Sequence, residues 1–475
     1  MLLTFGQVAG YGLSFARNVI LARALAKADF GLAALFGMTV LLLEIAGRMS
    51  LGQQMIQSKH GDSASYQATS QAFQAALAIC GALLIVTLSW PMAGIMKVPH
   101  LWWAFATLSV VPLARAFEHL DYFRFQRELN YLPAVLCDLV PQFLITAAAW
   151  PLTVWLGDFR VIIWLMIGKA VIGMAMTHMI SKTPYRWAWN PGYVKGMCAF
   201  GLPLFFNGLL IFGSQQADQV VVGALLNLEK LASYALAFSL VSIPGNIFAQ
   251  VGSSLLLPIF SKAQDDPALF RARYRTCSEY SAVAAVILTL PLIVAGEQFA
   301  SIVYGPKYAG TGNVMAVLGA AAAVRFLRIV PAIASMAKAD TMNQLHSNVW
   351  RCLSLPLAVA VAWLGGDLAL VAACALTAEI AATIVSVYRL RRRQGVPMLD
   401  SAGGAAFVLG FVAAGLTIIR LGAPHWGYSA IGAGTGAMLI GAAGTAWVAF
   451  PRAARALVVA ISEKHGLKIL QTVPN

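Results

Sequence analysis

The stretch Ala16–Gly31, ARNVILARALAKADFG, decides the fold. It begins inside an apolar run that already holds a charge, Arg17, and ends in a polar turn carrying Arg23, Lys27 and Asp29. A second apolar run opens near Leu32. Roughly two hundred residues later the pattern returns as ADQVVVGALLNLEKLASYA, Ala217–Ala235. Ala16-Arg17-Asn18-Val19-Ile20 aligns with Ala217-Asp218-Gln219-Val220-Val221, and after a one-residue shift Gly31-Leu32-Ala33 falls on Ser233-Tyr234-Ala235. A charged helix end that occurs in both halves predicts two copies of one membrane unit.

The totals agree with that reading. The 475 residues are 59% hydrophobic and 11% charged, with a mean hydropathy of +0.74, against about 25% charged residues in soluble domains. The net charge of +14 is spread through short loops between apolar runs. That distribution fits the membrane and argues against nucleic acid as a partner. Six cysteines stand singly with no C-x-x-C pair, which leaves neither a disulfide framework nor a zinc site. The first apolar run lacks a basic n-region and a small-residue cleavage site, so it reads as a retained helix.

The chain is expected to be an all-α polytopic membrane protein of about fourteen transmembrane helices, each of about 20 residues. They group as six, six and two: an N-lobe over 1–181, a connector over 182–195, a C-lobe over 196–390, and two further helices with a tail over 391–475. The fourth span is placed near Leu101 to Tyr122 and the eleventh near Leu345 to Leu364. Lysines and arginines crowd alternate loops, among them Lys59, Arg124, Arg127, Lys182, Arg186, Lys195, Arg271, Lys338 and the run Arg391-Arg392-Arg393. The other loops hold only Arg23, Lys27, Lys97, Arg160, Lys230, Lys307 and Arg420. By the positive-inside rule both termini are cytoplasmic. The outer loops are too short for a soluble catalytic domain, and no H-E-x-x-H, G-x-S-x-G or P-loop is present. No enzyme, cofactor or resident metal is expected.

Charge inside the spans carries the functional information. Seven basic residues remain there, Arg17, Arg48, Arg115, Lys169, Arg325, Arg328 and Arg351, together with Glu44, Glu118, Asp138, Asp218 and Glu379. Each costs at least about 2.5–3.5 kcal/mol at the bilayer centre, so they must face protein or water. Arg115 with Glu118, and Arg351, lie near cytoplasmic ends, where snorkelling or a local ion pair explains them. Glu44 and Arg48, one turn apart, are either a structural pair or part of a substrate site. Asp138 is close enough to the inner surface to be local. Arg17, Lys169, Asp218, Arg325, Arg328 and Glu379 lie deeper and line the expected cavity.

The cation surplus predicts an anionic, phosphorylated cargo, because guanidinium grips phosphate oxygens in two places and stays ionised when desolvated. The candidate substrate-binding residues are Arg17, Arg48, Lys169, Arg325 and Arg328; the candidates for ion coupling or gating are Asp218, Glu44 and Glu379. Asp218 either carries a coupling proton or sodium ion or steadies one conformation as a salt-bridge partner. A repeat protein with a site between its halves is the usual architecture of alternating access.

The motif Ala16–Gly31 resembles the end of the first span in bacterial polysaccharide flippases of the Wzx type, of the form R-x(4)-A-R-x-L-x(3)-D-F/Y-G. Arg17, Ala22, Arg23, Leu25, Asp29, Phe30 and Gly31 fill it. The second-half match runs over Phe200–Leu226, followed by Tyr234 and the Pro244 and Pro258 segment. The resemblance implies the multidrug/oligosaccharidyl-lipid/polysaccharide (MOP) exporter fold, two six-helix lobes in a V around a central cavity. It implies transfer of undecaprenyl-diphosphate-linked oligosaccharide to the periplasmic leaflet of the bacterial inner membrane for O-antigen, capsule or exopolysaccharide synthesis. Polysaccharide polymerase and export machinery are then the expected partners. Arg17 and Arg48 match intramembrane arginines of the first lobe, and Asp218 the acidic position of the seventh span. The usual basic tail before the first span is missing, and the two extra helices occur in only part of the superfamily. A lipid II flippase, which also has fourteen spans, and a MATE-type drug or cation exporter are the alternatives; the second would depend on acidic cavity residues.

Overall fold

The computed structural model describes residues 2–48, 51–421 and 428–450. The chain divides into two compact units, Met1–Ala235 and Leu236–Asn475. Among the described residues the regular structure is helical throughout, and ten helices are long and apolar enough to cross a membrane.

The first unit holds α1 (Leu2–Ala24), α2 (Lys27–Arg48), α3 (Leu51–Gln57), α4 (Ala64–Ile95), α5 (Trp102–Thr107), α6 (Val110–Ala116), α7 (Tyr122–Arg127), α8 (Leu132–Leu156), α9 (Arg160–Ile180) and α10 (Pro191–Val221). Here α1 packs on α8 and α8 on α9, while α4 carries α5 and α6. The repeat places α10 with the second half of the sequence, yet it packs on α2, α3 and α4 and stays in the first unit. The unit boundary falls early in α11 (Leu228–Ser261).

The second unit continues with α12 (Pro267–Val294), α13 (Gly296–Tyr304), α14 (Gly312–Ala337), α15 (Met342–Arg351), α16 (Ser354–Trp363), α17 (Leu368–Gln394), α18 (Leu399–Leu421) and α19 (Tyr428–Ala449). Its core is built on small residues, Ala282 and Ala285 of α12 against Ala316, Ala320 and Ala323 of α14, with Val408 and Val412 of α18 closing it. Alanines at helical spacing let the axes approach closely, as packing between membrane helices favours.

Two expected spans are broken. The fourth divides into α5 and α6 and the eleventh into α15 and α16, and one cause accounts for both. Pro112 and Pro356 have no N–H to give the carbonyls of Leu108 and Cys352, four residues earlier. Those carbonyls accept instead from the N–H groups of Val111 at 3.0 Å and Leu355 at 3.1 Å, tightening the turn and ending the preceding helix. Helix starts follow local chemistry as well. Asn190 and Asp266, each followed by proline, cap α10 and α12 by accepting from the next free N–H groups.

The opening motif has a structural reason for its glycine. A Cβ on Gly31, near the start of α2, would overlap the backbone carbonyl of Leu228, the first residue of α11 and part of the second copy of the motif. The two copies meet backbone to backbone inside the first unit, and glycine permits that approach.

Candidate functional site

In the first unit, charged side chains from five helices approach one another. Lys169 of α9 lies within electrostatic range of Asp138 on α8, Arg17 on α1, Glu44 on α2 and Arg115 on α6. Arg17, Glu44, Arg115 and Lys169 are half-buried and Asp138 is exposed. Arg115 pairs with Glu44 at 2.6 Å. The local partner expected for it, Glu118, lies one turn away in sequence, but α6 ends at Ala116 and leaves Glu118 beyond the helix. The side chain of Arg48 lies outside the described residues.

Asp218 is buried near the end of α10. Its Oδ2 accepts from the hydroxyl of Tyr234 and its Oδ1 from the backbone N–H of Gln219 at 3.0 Å. Four residues on, α10 loosens into a wide turn over Val222–Leu226. Tyr234, a motif residue, is fully buried, so the carboxylate is held by a neutral donor on the facing helix.

In the second unit, Arg325 and Arg328 of α14 and Arg351 of α15 converge on Glu379 of α17. Arg325 Nε lies 3.0 Å and Arg351 Nε 2.8 Å from Oε1, and Arg328 Nε lies 3.3 Å from Oε2. Arg328, Arg351 and Glu379 are buried; Arg325 is half-buried. Arg351, expected to snorkel, does not reach the surface. The break before Pro356 makes it the last residue of α15, about 13 Å along the axis from Met342. It is the residue sequence reasoning missed. The signal was available in α15 itself, where His346, Ser347, Asn348 and Arg351 crowd the first seven residues of the expected span and Asn343 and Gln344 precede it, too polar a run for lipid contact.

A third polar network closes one end of the first unit. His119, in the turn after α6, is buried; its Nδ1 accepts from the N–H of Asp121 at 3.1 Å, and its Nε2 lies 3.0 Å from Ser181 Oγ. Asp121 Oδ2 accepts from Lys182 N–H at 2.8 Å, and Gln67 Nε2 donates to Thr183 Oγ1 at 3.0 Å, which ties the connector down. Burial pushes the His119 imidazole below its ordinary range, with neighbouring His178 acting the same way against the pull of Asp121. The second unit uses a different device at a comparable turn. Arg389 makes two bonds to Asp340, at 3.0 and 2.9 Å, and holds that carboxyl below the usual carboxylate range.

The sequence profile of a family described as polysaccharide biosynthesis protein matches residues 20–312. The amylovoran biosynthesis protein AmsL of Erwinia amylovora is 23% identical over 323 residues, covering 66% of this chain and 80% of that protein. The teichuronic acid biosynthesis protein TuaB of Bacillus subtilis (strain 168) is 24% identical over 144 residues, 28% of this chain and 30% of that protein. Among solved structures, the lipid II flippase MurJ in its inward closed conformation superposes with a TM-score of 0.75 at 12% identity, covering 96% of this chain and 100% of that one. An inward-facing multidrug resistance MATE family transporter of the MOP superfamily gives a TM-score of 0.68 at 12% identity, covering 82% and 94%. At such identities the likeness is one of fold, shared with MurJ and the MATE transporter.

Proposed function

This chain belongs to the polysaccharide biosynthesis protein family, and from that premise we propose that it is a flippase. It carries undecaprenyl-diphosphate-linked oligosaccharide repeat units from the cytoplasmic to the periplasmic leaflet of the bacterial inner membrane by ion-coupled alternating access. The units then pass to polymerase and export machinery for O-antigen, capsule or exopolysaccharide synthesis. The observation that carries the reading is the half-buried cation group of Arg17, Arg115 and Lys169 in the helical interior of the first unit. Partly exposed cations can exchange water for phosphate oxygens without first breaking a buried network. Arg17, Arg48 and Lys169 are the candidates for taking the diphosphate in the first unit; in the second unit the candidates are Arg325, which is half-buried, and Arg328 behind it. Asp218 is the candidate for coupling to a proton or sodium ion, because the hydroxyl of Tyr234 tolerates either state of the carboxylate.

A lipid II flippase is the second reading, favoured by the match to MurJ over 96% of this chain. The MATE transporter covers less of the chain, and the basic surplus disfavours a cation exporter. Deleting the gene and identifying the lipid-linked intermediate that accumulates on the cytoplasmic side separates these readings. A pathway-specific oligosaccharide supports the first and lipid II the second. The variant Arg17→Ala should abolish translocation while the protein remains in the membrane at normal level; full complementation by it would remove Arg17 from the site.

A further inference from the structure

Among the described residues, the cluster on Glu379 does not balance its charge. Three guanidinium groups, of Arg325, Arg328 and Arg351, stand against one carboxylate and leave a surplus of two positive charges. Guanidinium does not shed its proton to relieve this. The other described acidic residues of the unit are engaged elsewhere: Glu279 with Arg275, Asp340 with Arg389, Asp400 with Arg271, and Glu297 with the N–H groups of Gly310 and Gly312. Asp266 and Asp367 cap helices, and Asp265 is exposed in a loop. Uncompensated buried charge is costly, so the surplus calls for an anion.

The cluster is open on one side. The side chain of Arg325 is 19% exposed, against 7% for Arg328 and 5% for Arg351, so a ligand meets Arg325 first. One turn before Arg351, the buried amide of Asn348 has no hydrogen-bond partner for either its oxygen or its nitrogen among the described residues. The region therefore holds surplus charge, an approach and unused hydrogen-bonding capacity.

Resting on the proposed diphosphate-linked cargo, we infer that this cluster is a charge-matched receptor for a diphosphate diester, with Glu379 setting the charge it accepts. By reducing three positive charges to two, Glu379 makes a doubly charged diphosphate diester the group that neutralises the site. A phosphodiester, the singly charged group of bulk membrane phospholipid, leaves one cation unpaired and is rejected by that residue of charge. Arg325 contacts the ligand. Arg328 and Arg351, fixed more deeply on Glu379, supply the field. Glu379 determines specificity without touching the cargo.

The test uses the full chain in nanodiscs of uncharged lipid at about pH 8, above the second phosphate pKa of about 6. Three short-chain probes are compared by titration calorimetry: a dialkyl phosphate, a dialkyl diphosphate and a monoalkyl diphosphate, singly, doubly and triply charged. The wild type should bind the dialkyl diphosphate best, by about tenfold over the dialkyl phosphate. Glu379→Gln, with a surplus of three, should move the preference to the monoalkyl diphosphate, and Arg351→Gln, with a surplus of one, to the dialkyl phosphate. The double variant Arg351→Gln/Glu379→Gln restores the surplus of two with different residues and should restore the wild-type ranking. If one single variant fails to fold, the other decides, with the double variant as its control. An unchanged ranking in the single variants, or a changed one in the double variant, overturns the inference. A deletion strain that accumulates diphosphate-linked oligosaccharide while the rankings stay fixed sinks the inference and spares the flippase reading; rankings that shift as stated while nothing accumulates do the reverse.

Discussion

The two units carry charge among their helices in opposite ways. In the first, Arg17, Glu44, Arg115, Asp138 and Lys169 come from five helices and keep partial contact with solvent. In the second, three arginines from two helices share the carboxylate of Glu379 on a third and are more deeply buried, with Arg325 left as the open side. Similar side chains thus form a dispersed, partly wetted group in one place and a compact, deeply set one in the other, and burial makes the difference. Coulomb attraction strengthens as water leaves, but so does the penalty for any charge left without a partner. Truncation of the two carboxylates should expose the contrast. Glu379→Ala strands three arginines and should cost about 3–5 kcal/mol, the scale for breaking a buried ion pair. Glu44→Ala removes a partner whose side chain is 30% exposed, against 4% for Glu379, and should cost about 1 kcal/mol or less. Denaturant unfolding of the purified variants in detergent measures both. Equal losses would erase the distinction between the dispersed group and the compact one.

If the first unit is not held by charge, something else must hold it. The close approach of Gly31 to the Leu228 carbonyl is the candidate. Gly31→Ala should cost about 1–3 kcal/mol through forced backbone displacement, the range for overpacking. Gly37→Ala, on the same helix with open space around it, should be neutral or slightly stabilising through better helix propensity. A drop in melting temperature for the first variant alone would place the rigidity of this unit in its backbone contact. Matched behaviour of the two would return the question to the charges.

The sequence made the helical membrane fold legible because span length and charge depletion are local properties. The same holds for the separation of Arg325, Arg328 and Glu379 from surface charges, which needed only their depth in a span. Pairing was not legible. Arg115 meets Glu44 across 71 positions of chain, whereas sequence spacing offered only the nearer Glu118. Arg351 was hidden for a different reason. A continuous eleventh span puts it near an end, and only the break caused by Pro356 leaves it at the inner terminus of a short helix facing Glu379. A proline marks the position of such a break, but the packing around it decides whether the helix kinks or stops. Helices α8, α10, α11, α12 and α14 run on through their interior prolines.

The smallest expected effect contrasts the same two units at their turns. His119 accepts at Nδ1 from the N–H of Asp121, a role only the unprotonated nitrogen can fill. Its imidazole is held below the ordinary range by burial, so the opened segment binds a proton more readily than the closed one. The contribution of His119 is therefore complete above its ordinary pKa of about 6.5 and is lost as pH falls below it. Asp340 is also depressed, chiefly by its hydrogen bond from Arg389, but it is a carboxyl. Its contribution persists until pH falls below about 3.9. Between pH of about 6 and 5, hydrogen exchange should quicken in residues 117–124 and 181–186 while residues 338–343 stay protected. His119→Gln should remove that dependence in the first two segments, because an amide can accept the Asp121 N–H at either pH. Exchange that quickens equally in all three segments would mean that acid acts on the whole fold rather than through the imidazole, and the distinction between the two turns would fail.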